Sequence, residues 1–264
     1  MHKSLRIAAL VAACAVAGGA LYGAGAATAG QSTANSTREP YNIGLLVKDI
    51  DTYYGATLDS NGVYQASPDS PYARDLARVE SSAKHSIDRA ARSAHRHGEK
   101  PAVVFDIDDT LLLSLDYEKK TNYTYNSASW ADYVAKADRP AVPGTPALVR
   151  YAQSRGVEVF YNSGLTEAQR SAAVENLKKV GADVNLDAAH MFLKDAANPP
   201  SYLKDCAAPG SWKCSTVQYK SGTRAHIEDL GYRIIANFGD QYSDLDGGYA
   251  DRTYKLPNPT YFVG

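Results

Sequence analysis

Five short apolar runs alternate with helical stretches beyond residue 100, and this alternation predicts the fold. Each run is apolar on both faces, as in AVVFDI at residues 102–107. Strands with two apolar faces are typical of parallel sheets covered by helices on both sides. We therefore predict an α/β fold with a parallel sheet, whose strands are residues 102–107, 157–162, 189–194, 232–239 and 252–256.

The helices are predicted from apolar spacing and from end signals. Residues 41–55 and 70–98 indicate two helices ahead of the first strand, and in the second one apolar residues recur at three- and four-residue spacing. Within residues 165–181, Thr166 and Gln169 form a capping-box pattern, which indicates a helix between the second and third strands. These helices supply the layers that a parallel sheet needs on its faces.

A long connection, residues 111–146, separates the first two predicted strands. Much of it is polar and aromatic, and a connection of this length is usually functional or a small inserted unit. We interpret it as a cap over a site at the end of the first strand. The alternative is a solvated crossover with one short helix around residues 130–136.

The first 29 residues have the pattern of a secretory signal peptide: a positive start, an apolar stretch and a small-residue cleavage site, ATA, at residues 27–29. Cleavage before Gly30 predicts a secreted, extracellular protein. It leaves a polar, disordered linker at residues 30–40, followed by one domain at residues 41–264.

A lipid anchor is the rival interpretation of the N-terminus. The stretch VAAC at residues 11–14 has the form of a lipobox, which would attach a lipoprotein to a membrane through Cys14. Against it, the apolar run continues well past Cys14, where a lipid-modified mature end is usually polar. A transmembrane anchor is the weakest interpretation, because the stretch is rich in glycine and a cleavage site follows.

Composition and charge narrow the function classes. The chain has 264 residues, of which 44% are hydrophobic and 22% charged, as in ordinary globular proteins. The formal net charge of −1 becomes −3 without Lys3 and Arg6, so there is no basic footprint for nucleic acid. Neither composition nor pattern indicates an oligomeric state.

Cys206 and Cys214 remain after cleavage, in the loop-like stretch DCAAPGSWKC. Outside the cytoplasm, such a pair is interpreted as a disulfide bond. A zinc site is the weaker interpretation, because no further Cys or His lies nearby at ligand spacing.

Three aspartates, Asp106, Asp108 and Asp109, end the first predicted strand, where the core would otherwise continue. Carboxylates are costly to desolvate unless they are paired, hydrogen-bonded or bound to metal. Because side chains alternate along a strand, Asp106 and Asp108 project to one side while Ile107 returns to the core. Two like charges this close need a cation, which predicts Mg²⁺. Asp109 is better interpreted as a strand-end cap.

Two further carboxylates, Asp240 and Asp244, lie just past the fourth predicted strand. Ligands of parallel α/β sheets collect beyond the carboxyl ends of the strands. We therefore expect Asp240 and Asp244 to join the aspartates of the first strand at the metal. Asp246, followed by two glycines, is better interpreted as a turn residue.

A phosphate-bearing substrate would add negative charge to this site, so a cation besides the metal is required. Lys220 opens the helix that leads into the fourth strand and is the residue predicted to supply it. Lys194 and Lys204 are rivals, but neither starts such a helix. Ser163, at the end of the second strand, offers a hydroxyl that can hydrogen-bond a phosphoryl oxygen.

Together these residues resemble the motifs of haloacid dehalogenase (HAD) superfamily phosphatases. Residues 219–245 and 252–259 also resemble the secreted acid phosphatase branch that is related to plant vegetative storage proteins. The resemblance extends over about residues 41–264 and implies a Rossmann-like HAD core with a small cap after the first strand. The motifs occur in order as Asp106-Ile107-Asp108-Asp109-Thr110, Ser163, Lys220, and Asp240 with Asp244.

The resemblance implies a Mg²⁺-dependent phosphomonoesterase that works through an aspartyl-phosphate. Asp106 would be the nucleophile, and Asp108 would protonate the leaving alcohol and then take a proton from water. Phosphate contacts are implied for Thr110, Ser163 and Lys220.

The resemblance also implies the metal ligands and the kind of substrate. Mg²⁺ would bind the Asp106 and Asp240 carboxylates and the backbone carbonyl of Asp108, with Asp244 ligating it or orienting a water. The implied partner is a small-molecule phosphomonoester. One departure concerns substrate preference: Leu165 stands where the branch often carries a basic residue.

Two other functions are weighed against this one. A phosphotransferase or a substrate-specific nucleotidase could use the same aspartyl-phosphate. A non-catalytic secreted storage or binding protein could keep the fold alone, but such a protein would be expected to have lost the nucleophile, and here Asp106, Asp108, Lys220 and Asp240 are all present.

Overall fold

A computed structural model describes residues 40–263 of the protein. The predicted signal peptide, the alternative lipid anchor at Cys14 and residues 30–39 of the predicted linker lie outside the described residues. Within residues 40–263, no helix is both long and apolar enough to cross a membrane.

The secondary structure alternates between strands and helices along the chain. The strands are β1 (Thr57–Leu58), β2 (Tyr64–Gln65), β3 (Lys100–Phe105), β4 (Glu158–Thr166), β5 (Met191–Lys194), β6 (Ala207–Ala208), β7 (Ser211–Trp212), β8 (Tyr232–Gly239) and β9 (Thr253–Lys255). The helices are α1 (Ile43–Tyr54), α2 (Pro71–Arg96), α3 (Leu115–Lys120), α4 (Ser127–Ala135), α5 (Thr145–Ser154), α6 (Arg170–Lys179), α7 (Thr216–Asp229) and α8 (Tyr242–Leu245), with short 3-10 turns at Glu167–Gln169 and Ser201–Leu203.

A five-stranded sheet in the order β5-β4-β3-β8-β9 lies at the centre, and all of its strands are parallel. These are the five strands predicted from the sequence, so the α/β fold with a parallel sheet is confirmed. The first is shifted by two residues, since β3 begins at Lys100 and ends at Phe105 rather than running from residue 102 to residue 107. Beyond Phe105 the chain turns sharply, because the amides of Leu111 and Leu112 both donate to the carbonyl of Ile107 at 2.9 and 3.0 Å.

Both faces of the sheet are buried, as the apolar runs predict. On β3, Val103 and Phe105 belong to the main apolar cluster, whereas Ala102 and Val104 belong to a second cluster on the opposite face. Helix α2 covers the main cluster with a stripe of buried residues that includes Leu76 and Ile87. The two-sided burial fixes the register, because a slip by one residue would exchange the two faces.

The predicted helix at residues 165–181 begins later than expected. Its first two residues extend β4, and the capping box of Thr166 and Gln169 is present but opens a 3-10 turn that leads into α6. The side chain of Gln169 accepts a hydrogen bond from the Thr166 backbone amide at 2.9 Å. This bond gives a partner to an amide at the end of β4.

The 111–146 segment carries two helices, α3 and α4, with an aromatic centre. The ring of Tyr117 lies 5.0 Å from that of Trp130 and 5.3 Å from that of Tyr133. The two ends of the segment are joined, because the Leu113 amide donates to the carbonyl of Pro140 at 2.8 Å. The segment therefore leaves the sheet and returns to it at one place, directly after the aspartates.

Cys206 and Cys214 form the predicted disulfide bond. It closes the short hairpin of β6 and β7, which packs on a small apolar cluster that contains Tyr219 of α7. The bond therefore ties a surface hairpin to the helix that carries Lys220.

We expect reduction of this bond to lower the free energy of unfolding by about 2–3 kcal/mol, because it releases a short closed loop in the unfolded chain. For a domain of this size that corresponds to a fall in Tm of about 5–10 °C. Thermal unfolding with and without dithiothreitol measures the shift. The double variant C206S/C214S is the control: its Tm should already be lowered, and a further fall on adding the reductant would contradict the assignment.

Candidate active site

Two loops at the carboxyl ends of neighbouring strands bring the predicted carboxylates together. Asp106 follows β3, while Asp240 and Asp244 follow β8, which pairs directly with β3. One carboxylate oxygen from each lies within 4.8 Å of the other two, and all three residues are buried. The close approach requires Gly239, because a Cβ at that position would lie 2.4 Å from the Cβ of Asp244.

Lys220 lies inside this cluster, as the sequence predicts. Its Nζ is 2.5 Å from Oδ1 of Asp106 and 2.9 Å from Oδ1 of Asp244, and it also donates to the carbonyl of Asn162. The residue is only 2% exposed. A capping box at Ser215 fixes the start of α7 and therefore the depth at which Lys220 enters the cluster.

Asp240 is held by neutral donors rather than by a cation. Its Oδ2 accepts from the side-chain amides of Gln241 and Asn258, both at 2.7 Å, and Thr110 lies 3.4 Å from its Oδ1. Thr110 is thus placed beside a carboxylate, and its predicted phosphate contact stays a prediction. Asn258 had no recognisable role in the sequence. It follows β9 and contacts Asp240 only through the fold.

The loop after β8 is fixed by Arg224, a fully buried residue of α7. Its three nitrogens donate to the carbonyls of Asp244, Asp246 and Gly248 at 2.6, 2.5 and 2.8 Å. Burial lowers the pKa of Arg224 to about 10, and the nearby Asp244 opposes this effect. The Asp246 side chain is exposed on this loop, in line with the turn role expected for it.

Asp108 pairs with an arginine and is not part of the cluster formed by Asp106, Asp240 and Asp244. Its Oδ1 lies 2.5 Å from Nη1 of Arg139, a residue of the 111–146 segment. The Asp108 carboxylate is therefore outside the three-residue cluster, and its predicted contribution of a backbone carbonyl to the metal stays a prediction. Arg139 was missed from the sequence, where nothing in the stretch ADRPAVP marks it as a site residue.

Asp109 has the structural role expected for it. It adopts a φ of +51°, and its carboxylate accepts from the backbone amide of Ser114 at 2.9 Å and from the Ser114 hydroxyl. Asp109 therefore closes the loop that presents Asp106 and Asp108.

Ser163 and Leu165 lie beneath the site rather than in it. Ser163 is fully buried, and its hydroxyl accepts from the amide of Leu165 at 3.1 Å. The side chain of Leu165 is buried in the main apolar cluster. Gly164 is the residue of this strand end that lines the cavity, so the phosphate contact of Ser163 stays a prediction.

A cavity of about 410 Å³ lies above these residues. Asp106, Asp108 and Lys220 form part of its floor, and the 111–146 segment supplies one wall. Lys194 adds a second cation, whose pKa is lowered by burial and by Lys220. Lys204, the other rival of Lys220, is exposed elsewhere. The remaining lining comes from Glu118, Tyr123, Tyr125, Trp130, Gly164, Thr216, Asp240, Gln241, Ser243, Asp244, Tyr261, Phe262 and Val263.

Burial and mutual repulsion shape the electrostatics of the cluster. Burial raises the pKa of Asp106 well above its usual range even though Lys220 opposes the shift, and Asp244 and Asp240 raise it further. Burial and the charge of Asp244 raise the pKa of Asp240 to about 7. These shifts reflect an excess of negative charge at the carboxyl ends of β3 and β8.

The donor set fits a divalent cation. The ligand atoms that Asp106, Asp240 and Asp244 offer are carboxylate oxygens, which Mg²⁺ takes. The four predicted carboxylates face two buried cations, Lys220 and Arg139, so a divalent ion would balance the charge. Asp106, Asp240 and Asp244 are the residues that would hold the ion.

Glu118 is a further ionisable residue that the sequence did not reveal. It lies on α3, is 6% exposed and lines the cavity wall. Burial, with a smaller effect from Asp109, raises its pKa to about 7. It therefore adds a group that changes charge near neutral pH to the lining of the cavity.

Residues 59–264 match the family model of the HAD superfamily, subfamily IIIB (Acid phosphatase). The chain therefore belongs to this family. The alternation of strands and helices, the three strand-end motifs and Lys220 led to the same superfamily.

Individual relatives include plant proteins. The Stem 28 kDa glycoprotein of Glycine max is 34% identical over 169 residues, which cover 62% of this chain and 61% of the relative. Vegetative storage protein 1 of Arabidopsis thaliana is 34% identical over 61% of this chain and 54% of its own length. Acid phosphatase 1 of Solanum lycopersicum is 31% identical over 61% of this chain and 58% of its own length. The chain thus spans less than two thirds of each of these relatives.

Among known structures, the class C acid phosphatase from Bacillus anthracis has the same fold. It superimposes with a TM-score of 0.52 at 24% identity, over 70% of this chain and 78% of that chain. The same protein with tungstate bound gives a TM-score of 0.53 at 23% identity.

We expect Mg²⁺ to raise Tm by about 5–10 °C at pH 7.5, which corresponds to saturation about one hundredfold above Kd. The rise should be less than half as large at pH 5.0. Because the pKa of Asp240 is about 7 in the metal-free fold, protons compete with the cation below pH 7.

Thermal unfolding of D240N and D246N provides the test of this metal site. D240N removes a cluster carboxylate and should abolish the response to Mg²⁺, whereas D246N changes an exposed carboxylate of the same loop and should keep it. A full response in D240N would show that the cation binds elsewhere.

We also expect E118Q to flatten the dependence of stability on pH. The folded pKa of Glu118 is about 7 against 4.5 for the free side chain, so the folded state binds the proton more tightly. Its contribution is full below about pH 4.5 and is lost as the pH rises towards 7.

The Tm of E118Q should accordingly match the wild type at pH 4.5 and exceed it by a few degrees at pH 8. E175Q, at an exposed position of α6, is the control and should follow the wild-type curve. If E118Q kept the wild-type dependence on pH, Glu118 would not be a buried titrating group.

Proposed function

We propose that the protein is a Mg²⁺-dependent acid phosphatase that hydrolyses small phosphomonoesters through an aspartyl-phosphate on Asp106. The observation that carries the proposal is the position of Asp106. It lies at the floor of the cavity, 2.5 Å from the buried Lys220 and within the carboxylate cluster that fits a divalent cation. Membership of the acid phosphatase subfamily supports the same reaction.

In the first half-reaction, the Asp106 carboxylate attacks the phosphorus of the ester. A bond forms between its oxygen and phosphorus while the bond from phosphorus to the ester oxygen breaks. The leaving alkoxide takes the proton of the Asp108 carboxyl group and departs as the alcohol. Asp108 lines the cavity beside Asp106 and is 18% exposed, so its carboxyl group can reach the ester oxygen.

In the second half-reaction, water attacks the phosphorus of the aspartyl-phosphate. The Asp108 carboxylate takes the proton of the water, and the bond between phosphorus and the Asp106 oxygen breaks. Inorganic phosphate leaves, and both carboxyl groups return to their starting states. The same two residues thus serve both steps with no net change in the protein.

The cations of the site hold the transferring group. Lys220 and Lys194 line the cavity and would neutralise the phosphoryl oxygens. Most of the rate enhancement in phosphoryl transfer comes from such positioning and charge neutralisation. When bound, Mg²⁺ adds a further positive charge that offsets the repulsion between the anionic substrate and the carboxylates.

We infer that the protein is exported. A disulfide bond, a predicted signal peptide at residues 1–29 and relatives with glycoprotein names support this localisation. Disulfides persist in oxidising compartments, where thiol-reducing systems do not reach them.

The mature protein should hydrolyse para-nitrophenyl phosphate with Mg²⁺, lose activity with EDTA, and work best below neutral pH, where Asp108 can act as an acid. Steady-state assays between pH 4 and pH 9 measure all three properties. An alkaline optimum would contradict the acid phosphatase assignment.

D106N should abolish turnover while leaving the fold intact, because the exchange is nearly isosteric and removes the nucleophile. D246N, in the exposed turn, should keep wild-type activity and serves as the matched carboxylate control. Retained turnover in D106N would overturn the assignment of the nucleophile.

A further inference from the structure

Arg139 is a buried cation with a specific partner. Its side chain is 1% exposed, and Nη1 lies 2.5 Å from Oδ1 of Asp108. Its backbone is fixed to α6 by Asn176, whose side-chain amide accepts from the Arg139 amide at 3.0 Å and donates to the Arg139 carbonyl at 2.8 Å. The backbone of Arg139 is therefore anchored from outside the 111–146 segment, and its guanidinium group contacts Asp108 at the end of β3.

The guanidinium group also contacts the cavity wall. Its Cζ lies 5.4 Å from the centre of the Trp130 ring, within the range of a cation–π interaction. Trp130 lines the cavity and packs edge-on against Tyr117 at 5.0 Å. One side chain thus joins the carboxyl group of Asp108 to the aromatic wall above it.

The hydrogen bonding of Arg139 differs from that of the other fully buried arginine of the described residues. Arg224 uses three nitrogens on backbone carbonyls, as expected for a structural clamp. Arg139 leaves Nε and Nη2 without a partner among residues 40–263, although both atoms are buried. Buried unpaired donors are costly, so a purely structural role explains Arg139 poorly.

We propose that Arg139 is a positioning residue that orients Asp108 for proton transfer, an inference that rests on the proposed phosphatase function. Nη1 of Arg139 donates to Oδ1, so Oδ2 is the oxygen left to carry the proton when the Asp108 carboxyl group is protonated. As the bond between phosphorus and the ester oxygen breaks, that proton passes from Oδ2 to the leaving oxygen. The guanidinium group then neutralises the carboxylate that remains, and its two spare donors offer a second hydrogen bond to it.

Because Arg139 orients the general acid, the effect of replacing it should depend on the leaving group of the ester. An activated phenolate departs without a proton, whereas a poorer leaving group needs the proton of Asp108. The test therefore compares para-nitrophenyl phosphate with phenyl phosphate, which share a ring and differ in leaving ability. The parameter is kcat/KM, because it reports the steps up to departure of the alcohol.

R139M should lower kcat/KM for phenyl phosphate about 10- to 100-fold, part of the effect typical of a general acid, and for para-nitrophenyl phosphate by less than about fivefold. R139K keeps the charge but loses the planar guanidinium group. Its loss of kcat/KM should therefore also be larger for phenyl phosphate than for para-nitrophenyl phosphate, but by a smaller factor than in R139M. If R139M fails to fold, the asymmetry in R139K decides the question.

R155M is the matched control. Arg155 also pairs with a carboxylate, Asp88 at 3.0 Å, and lies over an aromatic ring, Tyr151 at 4.9 Å, but it does not line the cavity. Its kcat/KM values should stay at wild-type levels for both esters.

Equal losses on the two esters, or no loss in either Arg139 variant, would overturn the role of Arg139 while leaving the phosphatase assignment in place. If the wild-type protein hydrolysed neither ester in the presence of Mg²⁺, the proposed function itself would fail, and the inference with it.

Discussion

The buried ammonium group of Lys220 is the constraint on which the site depends. An ammonium ion is expensive to remove from water, and only close, well-placed partners compensate for the loss. Here Asp106, Asp244 and the carbonyl of Asn162 supply those partners from three different loops or strand ends. The chain segments that carry these partners must therefore all meet next to Lys220. The parallel sheet makes this possible, because β3, β4 and β8 end on the same side of it.

The parts that the sequence predicted well are those with local signals. Two-sided apolar runs identified all five strands of the central sheet, and carboxylates directly after two of them placed Asp106, Asp240 and Asp244 at one edge. The sequence favours Lys220 over its rivals because this residue is expected to open the helix before β8; in the structure that helix, α7, begins at Thr216, and Lys220 is its fifth residue. These inferences need only periodicity, end signals and the rule that parallel strands end on the same side.

The features of the fold and the site that the sequence did not predict depend on tertiary contacts. Arg139 reaches Asp108 only because the 111–146 segment folds back beside β3, and Asn258 reaches Asp240 from beyond the last strand. Neither Arg139 nor Asn258 stands at a sequence spacing that would identify it as a site residue. Leu165 illustrates the same limit: its missing charge raised doubt about the substrate, yet its side chain lies in the core, and the guanidinium group at the site comes from residue 139 instead.

The clamp formed by Arg224 has a consequence for the choice of ion. Three backbone carbonyls of the segment after β8 are fixed, and one of them belongs to Asp244, so the position of this ligand is set by the fold. A rigid set of oxygens suits a small ion with strict octahedral demands and penalises a larger ion that needs more ligands at longer distances. Discrimination between magnesium and calcium would then reside in backbone rigidity rather than in the identity of the carboxylates.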